Sequence, residues 1–546
     1  MSFGKLSLFT PHSSTIMSME AGPLYPALVR EMYPNDRIVI SHEALLRAAP
    51  MLFPLYSPMK LTFDYFYNEN RNVWKGDEAK DWSAFITGSV DGKAIEDPDD
   101  LPEHPYITVP EGGFAVGSLG DYLGFRSDAS LAGAKVSALR FRHYQHICKN
   151  YYLDENFSTM PSIGYTEGED TTTSLNLQYR CWNKDRFTTA TLEPQKGIGV
   201  GISLTGSIPV VTDPTIADAD NVTAWKTKYT TGGFFRVLSA SSSSNAVVQN
   251  INHEHLQHSG SGTTTPSAND GINSSSLAFA SYYDPNGTLI ADASDVDPIP
   301  IDEFHFLTQI ERLNQRDNMW GTRDFECIRT HFGCFVPDTR LQRPTWLGRS
   351  VVDVNFSEVL QTSQSTDSSA QGNIAGHTLA VSKNRPVKFM AREHGFLFVI
   401  ANIQPIAQYQ DGIPRDAMYQ TRYDYMWPIL SETGEQELYA AEVFANETNV
   451  RTKKIFGFEP RYNHLRFGEK SVHGDFRSSL SAYHAGRIFT NEPNLGENFI
   501  KADPTRRMFS VELEGTMPYW LRVEFDIKHV RRLPKWPTPS SIGKIF

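Results

Sequence analysis

LTFDYFY, residues 61–67, alternates along its length: Leu61, Phe63, Tyr65 and Tyr67 fall on one side of an extended chain, and Thr62, Asp64 and Phe66 on the other. That pattern reads as a β-strand with one face sealed and the other partly so. Outward from it the theme repeats. Short apolar runs lie between turn residues at VKFMA (387–391), GFLFVIANI (395–403), MFSVELE (508–514) and YWLRVEFDIKHV (519–530). The chain of 546 residues holds 33 Phe and 23 Tyr alongside 38 Gly and 32 Pro, which favours short strands joined by loops. Residues 1–60 read as Pro-rich and irregular apart from RIVI (37–40).

Two segments carry helix spacing instead. In SALRFRHYQHICKNYYLDENF (137–157), Leu139, Tyr144, Ile147 and Tyr151 recur at helical intervals. In DEFHFLTQIERLNQRDN (302–318), Phe304, Leu307, Ile310 and Leu313 recur every three residues, with Asp302 as the expected N-cap. Between them the composition breaks. Residues 201–300 contain three Lys/Arg, nine Asp/Glu and runs such as SASSSSNAVV and SGSGTTTPSANDGINSSS. Such a stretch cannot build a core of its own cheaply, although FFRVL, SSLAFASYY and GTLIADA read as scattered strands, so a surface insertion is expected, with a flexible linker, for which one hundred residues is long, as the alternative. No repeat of 20–50 residues is visible, which argues against solenoids and propellers.

At 40% hydrophobic and 21% charged, the chain can bury a sizeable core. Its apolar runs stop well short of the roughly 20 residues that cross a bilayer, and MSFGKLSLFTPHSS lacks the order of a secretory signal. Four cysteines are too few for a disulfide scaffold, so reduced thiols are expected. The net charge of −12 is uneven: residues 451–546 carry 17 Lys/Arg against 10 Asp/Glu, and the remainder 34 against 53. A basic face meeting a polyanion would explain the imbalance, as would ordinary salt bridges.

Five stretches invite a catalytic, metal or nucleotide-binding reading, and none demands it. In FECIRTHFGC (325–334), a helix would set Cys327, His331 and Cys334 on one face, but structural zinc wants four ligands and the other cysteines, Cys148 and Cys181, are distant. The thiols are expected to pack a helix and bind nothing. INHEHLQH places His253, His255 and His258 in the Ser/Gly-rich segment, where exposed histidines cost little. SVHGDFRSSLSAYH offers His473, Asp475, Ser478, Ser479 and His484, but a triad is defined by geometry, and no G-x-S-x-G elbow is present. GIGVGISLTG (197–206) and GSVDGKAI (88–95) match neither a dinucleotide fingerprint nor a P-loop. The expectation is no enzyme, no metal and no cofactor.

The order of segments is more telling. FDYFYNENRNVW (63–74) and WSAFITG (82–88) are followed by LRFRHYQHICKNYYLDEN (139–156), WNKDRFTTATLEPQKG (182–197), and GTRDFECIRTHFG with PDTRLQRPTWLG (321–348). QGNIAGH (371–377), EHGF (393–396), YDYMWPILSETGEQE (423–437), FGFEPRYNHLRF (456–467) and HGDFRSSLSAYH (473–484) complete the series. Together these resemble the major capsid proteins of the microviruses, small circular single-stranded DNA phages, and within them the gokushovirus-like branch. The likeness spans roughly residues 60–500; the first sixty residues and the tail after 500 match loosely, and Cys327 and Cys334 are not part of the family's pattern.

The resemblance implies a mainly β fold, a single jelly roll (an eight-stranded antiparallel β-barrel) with long loop insertions and a few helices. It divides the chain into an N-terminal arm with first strands (1–60), a first part of the jelly roll with a helical insertion (61–200), a variable surface insertion at the threefold protrusion (201–300), the remaining jelly roll with inter-subunit loops (301–500), and a basic C-terminal segment (501–546). It implies a virion protein, assembled in the host bacterial cytoplasm into an icosahedral T=1 homo-oligomer around a circular single-stranded DNA genome. Minor spike or pilot proteins, internal scaffolding proteins and a host cell-surface receptor reached through the 201–300 insertion are further expected partners. In VRRLPKWPTPSSIGK (530–544), Arg531, Arg532, Lys535 and Lys544 are the expected phosphate contacts, and Trp536 can stack on an unpaired base. A tail docking through Pro534, Trp536 and Pro537 is the alternative. Two other functions fit the composition. A secreted carbohydrate-binding or hydrolytic β-protein would need an export signal and, for hydrolysis, facing carboxylates. A free-standing single-stranded DNA binder sits poorly with a charge of −12.

Overall fold

Met59–Glu69 is a strand, and its second face is sealed almost as fully as its first, not merely in part. Leu61, Phe63, Tyr65 and Tyr67 enter the main core. Phe66, on the other face, enters a second core with Phe141, Tyr144 and Ile147 of a helix at Leu139–Tyr151. Asp64 is buried there too, accepting from Arg349 Nε at 2.6 Å and from the Tyr152 hydroxyl at 2.8 Å. A carboxylate can lie beneath an aromatic layer when its lone pairs are met in this way.

The computed structural model describes residues 6–51, 53–76, 80–90, 93–94, 101–197, 210–212, 289–291, 301–320, 324–338, 340–360, 374–509 and 516–536. Among them, ten strands form one antiparallel sheet: β1 (Ser7–Phe9), β2 (His12–Met19), β3 (Tyr25–Met32), β4 (Arg37–Ala48), β5 (Met59–Glu69), β6 (Thr345–Leu360), β7 (Ile374–Lys383), β8 (Val387–Met390), β9 (Gly395–Pro405) and β10 (Tyr519–Arg531). The order is β1-β10-β4-β7-β6-β5-β9-β3, with β2 also on β10 and β8 also on β4. β1 and β2 take successive stretches of β10, and β7 and β8 successive stretches of β4, so the ten strands occupy eight positions. β6 joins two halves, its first part pairing with β5 and its last six residues with β7. Thr15 Oγ1 donates to the Ala27 carbonyl at 3.1 Å, tying β2 to β3 at the far end of the path, so the sheet curls around its core. A curled antiparallel sheet whose neighbours are distant in sequence is consistent with a jelly roll.

The first sixty residues are not irregular: β1 to β4 lie there. HSSTIMSM was unreadable because small polar residues alternate with Met17 and Met19, whose burial is set by pairing with β10.

Three of the helices, α1 (Leu139–Tyr151), α2 (Ile301–Trp320) and α3 (Asp324–Phe332), also depart from their spacing. α1 is buried on every side from Phe141 to Cys148, including Arg142, His143, Gln145 and His146. Arg142 donates to Asp170 from Nε at 2.6 Å and to the Thr166 carbonyl from Nη2 at 2.8 Å, both charged side chains being fully buried. The NENRN stretch explains the two histidines. The Asn68 amide donates to His143 at 2.7 Å and His146 at 3.1 Å, and His143 Nε2 donates to Asn70 Oδ1 at 3.0 Å. Asp302 is the second residue of α2, inside the helix and not its cap, and Phe304 and Leu313 are half exposed instead of buried. α3 stops at Phe332 because Gly333 turns left-handed at φ 65°, with its N–H on the Arg329 carbonyl, so Cys334 leaves the face that spacing assigned to it.

The chain forms two compact units, residues 1–197 with 312–546, and residues 198–311. In the second, Val210–Thr212 pairs antiparallel with Leu289–Ala291, the latter within GTLIADA; FFRVL and SSLAFASYY lie outside the described residues. No described helix is long and apolar enough to cross a membrane.

Candidate nucleic-acid interface

β10 carries the basic C-terminal segment, and its alternation decides which cations are available. Tyr519, Leu521, Val523, Phe525, Ile527 and His529 point inward, while Arg522, Asp526 and Lys528 point out. At its end a single buried carboxylate gathers three basic groups. Asp36 sits in the turn between β3 and β4, where Asn35 adopts φ 70° and the Tyr33 N–H donates to Asp36 Oδ2 at 3.0 Å. Asp36 Oδ2 then accepts from His529 Nε2 at 3.0 Å and from Arg531 Nη2 at 2.6 Å. Arg30 Nε donates to His529 Nδ1 at 3.3 Å. Burial first, and then the neighbouring Arg531 charge, hold the His529 pKa below the ordinary imidazole range, which fits a neutral ring that donates at one nitrogen and accepts at the other.

The five expected contact residues therefore separate. Arg531 is engaged with Asp36, lies over the Tyr33 ring at 5.2 Å and is mostly buried. Arg532 is exposed, and the Asn35 amide oxygen, once that amide is turned, accepts from its Nε and Nη2 at 2.9 and 3.0 Å. Lys535 and Trp536 are exposed, Trp536 to 76%. Lys544 lies outside the described residues.

A second basic and aromatic surface escaped the sequence reading because its parts are scattered. A cavity of about 380 Å³ is lined by Arg186, Phe187, Phe467, Lys470, His473 and Arg477, among others. Its floor is rigid. Asp185 accepts from the N–H groups of Phe187 and Thr188 at 3.0 and 2.8 Å and from the Tyr409 hydroxyl at 2.8 Å. Arg186 is held by Glu459 at 2.8 Å and by Glu442, and Arg415 also reaches Glu442, at 2.9 Å. Burial lifts the Glu442 carboxyl while the two arginines pull it down. Lys470, His473 and Arg477 remain exposed at the rim.

A third surface is apolar. In YDYMWPI (423–429), Tyr423, Tyr425, Met426, Trp427 and Ile429 are all exposed, Ile429 to 84%. Trp427 is nonetheless oriented, its Nε1 donating to the Arg422 carbonyl at 2.8 Å.

His484 is buried, its Nε2 donating to the Phe476 carbonyl at 2.8 Å and its Nδ1 accepting the Gly486 N–H at 3.0 Å, so the main chain engages both ring nitrogens. His473 bonds Ser471 at 2.8 Å, and the Ser478 N–H donates to the Asp475 carbonyl at 3.0 Å, closing a turn. Cys327 and His331 do share a face of α3, but their third neighbour is Asp317 of α2, not Cys334, which is exposed. His253, His255 and His258 lie outside the described residues.

Comparison with known proteins agrees with the motif order across the chain. Residues 7–541 match the family described as Capsid protein (F protein). Capsid protein VP1 of Bdellovibrio phage phiMH2K is 29% identical, over 95% of this chain and 92% of its own length. Capsid protein VP1 of Chlamydia phage 1 is 27% identical over 95% and 92%, and that of Spiroplasma virus 4 is 26% identical over 97% and 94%. This chain belongs to the Capsid protein (F protein) family, among the capsid proteins of gokushovirus-like microviruses.

Proposed function

We propose that copies of this chain close a T=1 icosahedral shell, one per asymmetric unit, around a circular single-stranded DNA genome, and that the protein is structural rather than catalytic. The observation that carries this reading is the exposed ridge from Tyr423 to Ile429 on a unit that already has a filled core. Large contiguous apolar surface on a folded unit marks a contact with another molecule, and a ring of identical subunits supplies one. The genome would meet Arg532, Lys535, Trp536 and Lys544, with the groove rimmed by Lys470 and Arg477 as a second strand-tracking surface. Arg531 would serve mainly to fix the strand end that presents them.

The 201–300 segment would form the surface protrusion that meets the host receptor, supported by its acidic bias and poverty in core-forming residues. Spike, pilot and scaffolding proteins would act as auxiliaries during assembly in the bacterial cytoplasm. Ile429→Asp tests the ridge: the subunit should keep its far-ultraviolet circular dichroism and sediment as unassembled protein, because a buried interface anchor is worth about 2 kcal/mol or more and the new carboxylate would be desolvated. Normal shells from that variant would remove the ridge from the interface. Deleting residues 205–295 tests the insertion; unchanged attachment combined with failed assembly would show that the segment builds the shell instead.

A further inference from the structure

We propose that Asp317, Cys327 and His331 form a binding site for a divalent transition-metal ion, with zinc the best match to the donors. Cys327 and His331 stand four residues apart on α3, one above the other, and Asp317 reaches them from the last turn of α2. The three donor atoms, a carboxylate oxygen, a thiol sulfur and an imidazole nitrogen, all lie within 4.8 Å of one another. His331 Nε2 is 2.7 Å from Asp317 Oδ1, and Cys327 Sγ is 3.7 Å from the same oxygen.

Tetrahedral zinc, with bonds of about 2.0–2.3 Å, holds its donors roughly 3.3–3.7 Å apart. The sulfur is already at that separation from the Asp317 oxygen and within 4.8 Å of the imidazole nitrogen, and the nitrogen–oxygen pair needs to open by about 0.6 Å. The helix bearing Asp317 is fixed one residue further on. The Asn318 amide, itself buried, donates to the Glu193 carbonyl at 2.6 Å and to Glu435 Oε2 at 3.1 Å. Thiolate and imidazole favour zinc or cobalt over calcium or magnesium, which take oxygen. Three protein donors leave the fourth tetrahedral position to water. Binding expels the Cys327 proton, leaves the His331 proton on Nδ1 instead of Nε2, and replaces the hydrogen bond between His331 and Asp317 with two bonds to the ion, pinning α2 to α3.

The test uses the full-length chain, purified under reducing conditions, stripped with chelator and titrated with Zn²⁺ or Co²⁺ alone. Elemental analysis should return one zinc per chain, and Co²⁺ should produce the thiolate-to-cobalt charge-transfer band of a tetrahedral site. Cys327→Ser should abolish that band and Asp317→Asn should weaken zinc more than ~10-fold, while Cys334→Ser leaves both unchanged. Failure of the unmodified chain to retain stoichiometric metal would leave only a hydrogen bond between two helices and overturn the proposal, whatever the variants do. A cobalt spectrum lacking the thiolate band would place the ion elsewhere, for example on His253, His255 and His258, and would overturn it equally.

Discussion

Replacing Arg531 and replacing Arg532 together with Lys535 should give opposite kinds of defect, although all three are cations within five residues of one another. Arg531 is 23% exposed and its partner carboxylate, Asp36, 3%. In Arg531→Gln, Asp36 keeps the His529 and Tyr33 donors but loses its full counter-charge. Breaking a fully buried pair costs about 3–5 kcal/mol; the partial exposure of Arg531 and the two surviving donors reduce that to roughly 2 kcal/mol. Arg532→Gln with Lys535→Gln should change stability by no more than ~0.5 kcal/mol, because both side chains are exposed. If each contacts one phosphate of single-stranded DNA, the slope of log affinity against log salt should become shallower by about 1.4, roughly 0.7 per contact. Urea denaturation of the full-length chain reads the first effect, and fluorescence anisotropy of a labelled single-stranded oligonucleotide across a salt series reads the second. The reasoning is refuted if Arg531→Gln leaves the urea midpoint unchanged, or if the double variant keeps the parent salt slope.

Three further outcomes follow from the same structure. Arg142→Ala leaves Asp170 buried without its counter-charge and should cost about 3–5 kcal/mol, visible as a lower urea midpoint and poor yield; a loss below ~1 kcal/mol would mean that the four Thr172 and Thr173 donors satisfy Asp170 unaided. Trp536→Ala should weaken oligonucleotide binding by about 1–3 kcal/mol with an unaltered salt slope if the exposed ring stacks on a base, and no loss would favour the docked-tail reading. Acid should destabilise the chain. Burial pushes His42 and His464 down to about 4 and His146 to about 3, and lowers His104, His143, His484 and His529 as well. These groups take up protons more readily unfolded, so their contribution is whole above pH ~6.5 and is lost as pH falls from there towards 4; for the well-buried His42 and His146 that is about 1.4 kcal/mol per pKa unit, and less for the more exposed rings. Glu69 and Glu435, pushed up to about 7, and Glu442, raised in the same direction, act oppositely, favouring the fold as pH drops from 7 towards 4.5. Seven histidines against three glutamates predict a lower urea midpoint at pH 5 than at pH 7.5; a higher one would contradict the balance.

Strands with two-residue alternation were readable directly. LTFDYFY, read from its alternation, is a strand, as is YWLRVEFDIKHV, read as an apolar run between turn residues. β2 was not readable, since serines on both faces and Thr15 on the inner one carry little strand signal and its order comes from β10, 500 residues away in sequence. The helices misled for a related reason. α1 buries Arg142, His143 and His146 against partners from Asn68 to Asp170 that no local window includes, while α2 shows Phe304 and Leu313 to solvent. Among the site residues, composition marked the basic cluster at 530–544 but could not show that Asp36, in the turn between β3 and β4, already engages Arg531. In the same way Cys327 and His331 were visible as a pair, but their carboxylate partner lies ten residues before Cys327, on α2, and nothing in the spacing of α3 points to it. The groove around Lys470 and Arg477 draws on segments nearly three hundred residues apart and has no sequence signature.

The most direct measurement is electron microscopy of particles formed by the full-length chain, reconstructed to a resolution at which side chains are visible. The account predicts closed icosahedral shells with one copy per asymmetric unit, the 423–429 ridge covered by a neighbouring copy. Soluble monomers at every concentration, or shells in which that ridge faces solvent, would contradict it.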